Sequence, residues 1–221
     1  MLNNFPPKCR SEHSPFDLLV KHNNSLFFWQ SAGKKDYDGA GSGSKPGLHR
    51  EGEQSVMNTI DSLRMEFENE TQTTRKHLER LSNDKLDWRP HEKSFTARGL
   101  ASHIVSLVSL GDSVLTTDEL DIDPAAYKPY QATSVVDLLK TFDDNVANCR
   151  QALAAADDES MARPWRFKIM GRQRFEKPKA VVFRDFSLSH LIHHRGQFSV
   201  YLRLLNIPVP GSYGPTADEQ F

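Results

Sequence analysis

A long helical pattern near the C-terminus constrains the fold of this chain more than any other feature. From about Lys179 to Leu205, ending before Pro208, apolar residues recur at steps of three and four. One face carries Phe183, Phe186, His190, His194, Gln197, Tyr201 and Leu204, and a second carries Leu188, Leu191, Phe198, Leu202 and Leu205. A helix that is apolar over more than half of its circumference is buried on two sides. We therefore expect a core helix whose second face packs against another subunit or against the segment around residues 165–175.

Three earlier segments also show helical periodicity. They run from Met57 to about Leu81, from about Ala97 to Thr116, and from about Ser134 to Ala156. Thr96 is suited to cap the second of these helices, and Thr133 or Ser134 the third. Four helices of this length predict an all-α protein, specifically a four-helix bundle.

Two stretches depart from this simple pattern. Between the third and fourth helices, Trp165, Phe167 and Ile169 alternate with polar residues, which predicts a short hairpin or an ordered loop. In the first helix, the inward side is polar from Glu70 to His77. That polarity indicates either a ligand-lined cavity or a frayed apolar stripe.

The first 56 residues differ in composition from the rest of the chain. Six of the twelve glycines fall between Gly33 and Gly52, in a stretch typical of flexible linkers. Such a composition buries too little apolar surface to offset the entropy lost on ordering. We expect residues 1–56 to be disordered or an atypical extension, residues 57–215 to form the bundle, and residues 216–221 to be a C-terminal tail. An internal start at Met57 fits this division.

Charge and cysteine content limit the environment and the partners. The net charge is -1 and the isoelectric point about 6.8, which lacks the basic footprint of nucleic-acid-binding proteins. Cys9 and Cys149 are far apart, so a disulfide framework is not expected and a reducing compartment fits. No uninterrupted apolar run approaches the roughly 18 to 20 residues that span a bilayer. We expect a cytoplasmic protein without nucleic-acid or membrane partners.

Histidine spacing provides the main chemical signal. His190 and His194 are one helical turn apart, so both rings can reach one metal ion. Metal sites use three or four protein ligands, and His103, on the leucine stripe of the second helix, is the best third candidate. Facing helices of a bundle project side chains into a shared interior, which allows the three rings to converge. Taken singly, His103 reads better as a core histidine, and the pair can arise by chance.

Two common metal sites do not fit. A zincin helix places glutamate directly after the first histidine, where this chain has Leu191. A di-iron bundle needs Glu-x-x-His pairs, and no histidine here has a glutamate three residues before it. A mononuclear site for zinc, nickel, iron or manganese remains.

Other residues near the histidines have open roles. No general base is evident, and Gln197 and Tyr201 are candidates for hydrogen bonds to a ligand histidine or for substrate contacts. We interpret Arg195 as a salt-bridging surface or interface residue and Gly196 as a close-packing position. Trp88 is interpreted as a plug for the bundle end. Cys149 reads as a small core residue without a catalytic role.

The order of these motifs resembles one known family. The motifs are Trp88-Arg89-Pro90, Phe95-Thr96, Leu100-Ala101-Ser102-His103-Ile104 and His190-x-x-x-His194-Arg195-Gly196-Gln197. Over about residues 57–215 the chain resembles the DinB-like (DinB/YfiT) superfamily, regarded as metalloenzymes. The resemblance implies a four-helix bundle, commonly dimeric, with a divalent metal on His103, His190 and His194. His193 then remains only an alternative ligand.

Three function classes follow from this resemblance. The preferred one is a metal-dependent transferase or hydrolase acting on a small molecule. The family includes enzymes that use low-molecular-weight thiols, so an S-transferase is one form of it. The second is a non-catalytic, stress-responsive metal-binding bundle. The third, a DNA-associated factor, is disfavoured by the near-zero net charge.

Overall fold

The structure, a computed structural model, describes residues 58–220 and is mostly helical. The interpretation of residues 1–56 and the start at Met57 lie outside the described residues. Helical elements are found at all four predicted positions. In chain order the helical elements are α1 (Thr59–Leu78), a 3₁₀ turn (Asn83–Lys85), α2 (Ala97–Thr116), α3 (Val135–Ala155), the one-turn α4 (Asp158–Ala162), α5 (Lys179–Val182), a π-helical segment (Phe183–Ser189) and α6 (His190–Leu204). The last three follow one another without a break and form the long C-terminal helix.

Two of the helices begin at residues that the sequence predicts as caps. The Gly99 backbone N–H donates to Thr96 Oγ1 at 3.0 Å, and the Asp137 N–H donates to Ser134 Oγ at 3.1 Å. These bonds satisfy backbone donors that the first turn of a helix leaves without partners. Of the two cap candidates for α3, the structure selects Ser134.

The apolar core is centred on α2. This helix packs against α3 on one side and against the π-helical segment and α6 on the other, while α1 packs against α3 and α6. The largest fully buried side chains are aromatic: Trp165, Phe67, Phe142, Phe183 and Phe198. The second apolar face of the C-terminal helix is buried within this same chain, so no second subunit is needed to cover it. On the first face, Gln197 and Leu204 are exposed, contrary to the predicted inward stripe.

A small sheet adds to the helices. Strand β1 (Glu119–Ile122) pairs in parallel with β2 (Pro164–Ile169), which pairs antiparallel with β3 (Arg172–Pro178). Met170 and Gly171, at φ of 50° and 72°, form the two-residue connection between β2 and β3, as type I′ hairpin turns require. The predicted hairpin and the mostly helical class are confirmed, while the all-α description lacks the third strand, β1. Strand β1 has only four residues, and its partner β2 follows α3 in the sequence. Its local sequence therefore carries little strand signal.

The π-helical segment lies against α2 at close range. Gly111 of α2 faces it, and a β-carbon at that position would lie 2.6 Å from Ser187 Oγ and 3.1 Å from Phe183. Ser187 Oγ also donates a 2.9 Å hydrogen bond to the carbonyl of Leu107. The glycine therefore permits this approach, which sets α2 and the C-terminal helix side by side just before the first histidine of the pair.

By length and composition, α2 could cross a bilayer. Its mean hydropathy reaches 1.3, and 56% of that stretch is buried inside the protein. A core helix surrounded by other helices meets the same test, and the packing of α2 accounts for its apolar character.

Candidate metal centre

Three histidine side chains from two helices meet in the interior. His103 comes from α2, and His190 and His194 come from α6. The Nε2 atoms of His103 and His190 lie 3.5 Å apart, and one nitrogen of each ring lies within 4.8 Å of the other two. Within residues 58–220, no other group of histidine, cysteine or acidic side chains meets this geometry. The structure thus brings together the three residues that the sequence singles out.

The geometry and chemistry of the cluster fit a divalent transition metal. A tetrahedral ion with bonds of about 2.1 Å holds its ligand atoms about 3.4 Å apart. The separation of His103 and His190 is close to that value. All three nitrogens lie within 4.8 Å of one another, so modest ring movements complete the set. The group contains no carboxylate and no thiolate. Imidazole-only sites suit zinc, nickel or iron better than calcium or magnesium, which prefer oxygen ligands.

Burial keeps the three rings neutral at physiological pH. Loss of solvent is the main cause that lowers the pKa of His103 and of His190 to about 4 and that of His194 to about 3. Repulsion from neighbouring histidines lowers each pKa further. A metal binds the neutral imidazole, so protons do not compete with an ion here near pH 7.

A side-chain hydrogen-bond chain orients His194. Its Nδ1 lies 2.7 Å from Gln197 Oε1, and the Gln197 Nε2 lies 3.1 Å from His193 Nε2. An amide oxygen only accepts, so Nδ1 of His194 carries the proton and Nε2 keeps its lone pair free for an ion. His193 is exposed and does not belong to the cluster, but it contacts Gln197, the hydrogen-bond partner of His194.

The other two rings are oriented by backbone and aromatic contacts. The backbone of Phe186, one turn earlier in the π-helical segment, interacts with the His190 ring and raises its pKa against the effect of burial. The ring of His103 stacks on Phe95 with the two centroids 6.0 Å apart and the planes 20° from parallel. Each histidine of the cluster is therefore positioned by a different kind of contact.

Comparisons with known proteins agree with this picture. Residues 66–198 match the family model described as the DinB superfamily. The chain belongs to the DinB superfamily. Over 171 residues it is 25% identical to the uncharacterized protein YrdA of Bacillus subtilis, a match that covers 74% of this chain and 93% of YrdA.

Solved structures show the same fold. A DinB-like protein from Bacillus cereus matches with a TM-score of 0.56 and 23% identity, covering 72% of this chain and all of that one. A DinB-like protein (YjoA) from Bacillus subtilis matches with a TM-score of 0.53 and 21% identity, covering 68% and 96%. At this identity the structures support the fold alone.

Two residues of the motif have surroundings that differ from those predicted for this DinB-superfamily chain. Arg195 forms a salt bridge, as predicted, but it is buried within this chain rather than at the surface or an interface, with only 3% of its side chain exposed. Its partner is Glu70 of α1, and Thr74 and Tyr213 also accept from it. Gly196 is wrongly predicted as a close-packing position, because nothing lies within 4 Å of the place its β-carbon would take.

Three further predicted residues occupy the periphery of the site or the core. The Tyr201 hydroxyl donates to the Phe95 carbonyl at 3.1 Å, and its ring meets Trp88 edge to face at a centroid distance of 5.5 Å. Trp88 is half-buried against the core, beside the histidine site. Cys149 is buried, and loss of solvent raises the pKa of its thiol, as expected of a core residue.

One structural feature beside the site has no local signal in the sequence. The π-helical segment before His190 has no distinct local pattern, because its residues also suit an α-helix. The polar stretch of α1 did carry a signal, and the structure resolves it. Arg195 fills the space beside Glu70 and Thr74, so the stretch lines a buried ion pair instead of an open cavity.

Proposed function

We propose that this DinB-superfamily protein is a metal-dependent enzyme with a mononuclear centre on His103, His190 and His194. The observation that carries the proposal is the convergence of three neutral imidazoles, without a carboxylate, from two helices. Three protein ligands leave a coordination position for an exogenous group, as in catalytic rather than structural zinc sites. The ion is zinc, nickel, iron or manganese.

The three-histidine ligand set favours reactions in which the ion binds a deprotonated water or thiol. Three neutral histidines leave the full double charge of the ion uncompensated in a half-buried site. Such an ion acts as a Lewis acid that lowers the pKa of a water or a thiol toward neutrality. A low-molecular-weight thiol is therefore a suitable substrate, and an S-transferase on a small electrophile is the reaction we propose first. Hydrolysis of a small molecule uses the same Lewis acidity.

The chain's own residues prepare this site before any ion arrives. Gln197 fixes the tautomer of His194, and burial keeps all three rings deprotonated. The four long helical elements, arranged as the four-helix bundle of the family, supply the rigid frame. We place the protein in the cytoplasm, where a free buried thiol such as Cys149 is stable and cellular thiols are available.

A homodimer is the assembly we propose. Val200 and Leu204 of α6 are each 55% exposed, and Gly196 opens onto free space on the same side of the helix. Positions four residues apart lie on one face, so this face, Gly196–Val200–Leu204, offers an apolar strip. Sedimentation of wild type beside Val200→Glu tests the proposal. A dimer that becomes monomeric supports it, and a wild-type monomer refutes it.

Elemental analysis tests the metal centre directly. Purified wild type is expected to carry one ion per chain, and His103→Ala, His190→Ala and His194→Ala to lose it. His91→Ala is the matched control, because His91 is exposed and its Nδ1 only accepts from the backbone N–H of Lys93. Stoichiometric metal in the three ligand variants would refute the assignment.

The catalytic part needs a separate assay. Metal-loaded protein is mixed with cellular thiols and a panel of small electrophiles, and free thiol is followed over time. We expect metal-dependent thiol consumption that the His103→Ala variant lacks. If the loaded protein consumes no thiol and hydrolyses no ester or amide of a comparable panel, the ion serves another purpose.

A further inference from the structure

The contacts of Tyr201 show a role that its position in the sequence leaves open. Along α6, Tyr201 shares a face with His190 and His194, where it would suit a substrate contact. Its hydroxyl instead donates to the backbone carbonyl of Phe95 at 3.1 Å. Only 9% of the residue is exposed, and Trp88 packs against its ring. The hydroxyl is thus already engaged with the loop that precedes α2.

Phe95 contacts both Tyr201 and a histidine of the metal site. Its carbonyl accepts from Tyr201, and its ring stacks on that of His103. The loop is further fixed because the backbone N–H of Ala97 donates to the carbonyl of Trp88 at 2.8 Å. A continuous path of contacts therefore leads from Tyr201 through Phe95 to the imidazole of His103.

His103 depends on this path more than the other two ligands depend on their surroundings. His194 has the side chain of Gln197 as a hydrogen-bond partner, and the backbone of Phe186 lies close enough to His190 to raise its pKa. His103 is the one ligand on α2, and within residues 58–220 its only hydrogen-bond contact is to the ring of His190, another member of the cluster. Apart from the rings of His190 and His194, the aromatic ring that contacts His103 is that of Phe95. The orientation of His103 therefore depends on the position of Phe95, and that position depends on the contacts that support Phe95.

We propose that Tyr201 is a positioning residue for the metal site, which holds His103 in its coordinating orientation through Phe95. This inference rests on the proposed metal centre. It assigns Tyr201 no contact with the substrate or the ion. A ligand that must be reoriented on binding costs affinity, and the loss of such supporting partners weakens metal binding about 10- to 100-fold.

The test measures two quantities for each variant, its affinity for a metal ion and the melting temperature of the metal-free protein. Tyr201→Phe removes one oxygen and keeps the ring against Trp88. Tyr130→Phe is the matched control, because the half-buried Tyr130 also donates through its hydroxyl, to Thr141 at 3.2 Å. Cobalt(II) affinity is obtained by competition with a chromophoric chelator, and the absorption bands of the bound ion report its coordination geometry.

We expect Tyr201→Phe to bind cobalt about 10-fold more weakly and to change the absorption bands of the bound ion. In the metal-free state, its melting temperature should equal that of Tyr130→Phe. Phe95→Leu should weaken binding at least as much, and the double variant should be no worse than Phe95→Leu, since Tyr201 acts through Phe95. Wild-type affinity in Tyr201→Phe, or additive losses in the double variant, would overturn the inference. If Phe95→Leu does not fold, Tyr201→Phe alone decides. Wild type that binds no cobalt would instead refute the metal centre itself.

Discussion

Arg195 and Glu70 form a buried ion pair that joins α6 to α1. Nη1 of Arg195 lies 2.6 Å from Oε2 of Glu70, with 3% and 9% of the two side chains exposed. That carboxylate oxygen has no aligned hydrogen bond, so the contact is electrostatic. The Tyr213 hydroxyl bridges the pair, donating to Glu70 Oε1 at 2.9 Å and accepting from Arg195 at 2.8 Å. Arg195, which follows His194 in the chain, therefore links α6 to α1 inside the core.

Removal of one partner of this pair should strongly destabilise the fold. Glu70→Ala leaves an uncompensated buried guanidinium, and we expect a loss of about 3 to 5 kcal/mol in the free energy of unfolding. Asp143→Ala is the control, because its ion pair with Arg75 is exposed, with about 41% and 47% of the side chains accessible, and should cost no more than about 1 kcal/mol. Urea unfolding followed by circular dichroism measures both. Equal losses in the two variants would contradict the assigned role of burial.

The Arg195–Glu70 pair also shows where sequence reasoning succeeded and where it stopped. Helix positions, the caps at Thr96 and Ser134, and the hairpin depend on neighbours within a few residues, so local patterns revealed them. The three histidines are predictable from the sequence, because two lie one helical turn apart and the third lies on a helix face that is predicted to point into the same interior. Local patterns predict Arg195 at the surface or an interface, because an arginine carries no sign of a partner 125 positions away.

Two structural details lacked any local signal for a related reason. Strand β1 exists because β2 offers it a partner across α3, and its four residues resemble an ordinary connection. The π-helical segment arises where the C-terminal helix must fit against Gly111 and Leu107 of α2. Both depend on packing that only the folded chain supplies.

Gly111 of α2 and Gly196 of α6 should respond oppositely to substitution by alanine. Gly111→Ala places a methyl group 2.6 Å from Ser187 Oγ, and such overpacking should cost about 1 to 3 kcal/mol. Gly196→Ala meets nothing within 4 Å in an exposed helix and should stabilise the protein by about 0.5 to 1 kcal/mol. Thermal unfolding of both variants at one pH measures the difference. A neutral Gly111→Ala would show that the π-helical segment can retreat from α2.

The bond between Gln197 and His194 should control metal affinity. Gln197→Leu removes the acceptor that fixes the His194 tautomer, so we expect metal binding about 10- to 100-fold weaker. Gln197→Glu keeps an acceptor oxygen and should retain the affinity. His193→Ala, which removes only the outer partner of the amide, is the control and should change little. Competition with a chelator gives the three affinities, and an unaffected Gln197→Leu would contradict the tautomer argument.

His77 should make the protein sensitive to mild acid. This buried ring of α1 has its pKa lowered by loss of solvent, against a hydrogen bond to the Thr73 carbonyl that raises it. The charges of Arg195 and Arg80 lower the pKa further, and that of Glu219 raises it. Above about pH 6.5 the ring is neutral in both folded and unfolded chains. Below that pH the unfolded chain takes up a proton that the folded chain resists, so the free energy of unfolding falls as the pH falls.

The measurement compares wild type with His77→Gln in chelator, by urea unfolding between pH 7.5 and 5. His103, His190 and His194 have lowered pKa values of the same sign, so both proteins lose stability in acid. The difference between the two curves isolates His77. It should be constant above about pH 6.5 and should change below it by up to about 1.4 kcal/mol per pH unit in favour of the variant. Curves that stay parallel through this range would show that His77 is protonated equally in the folded and unfolded chains.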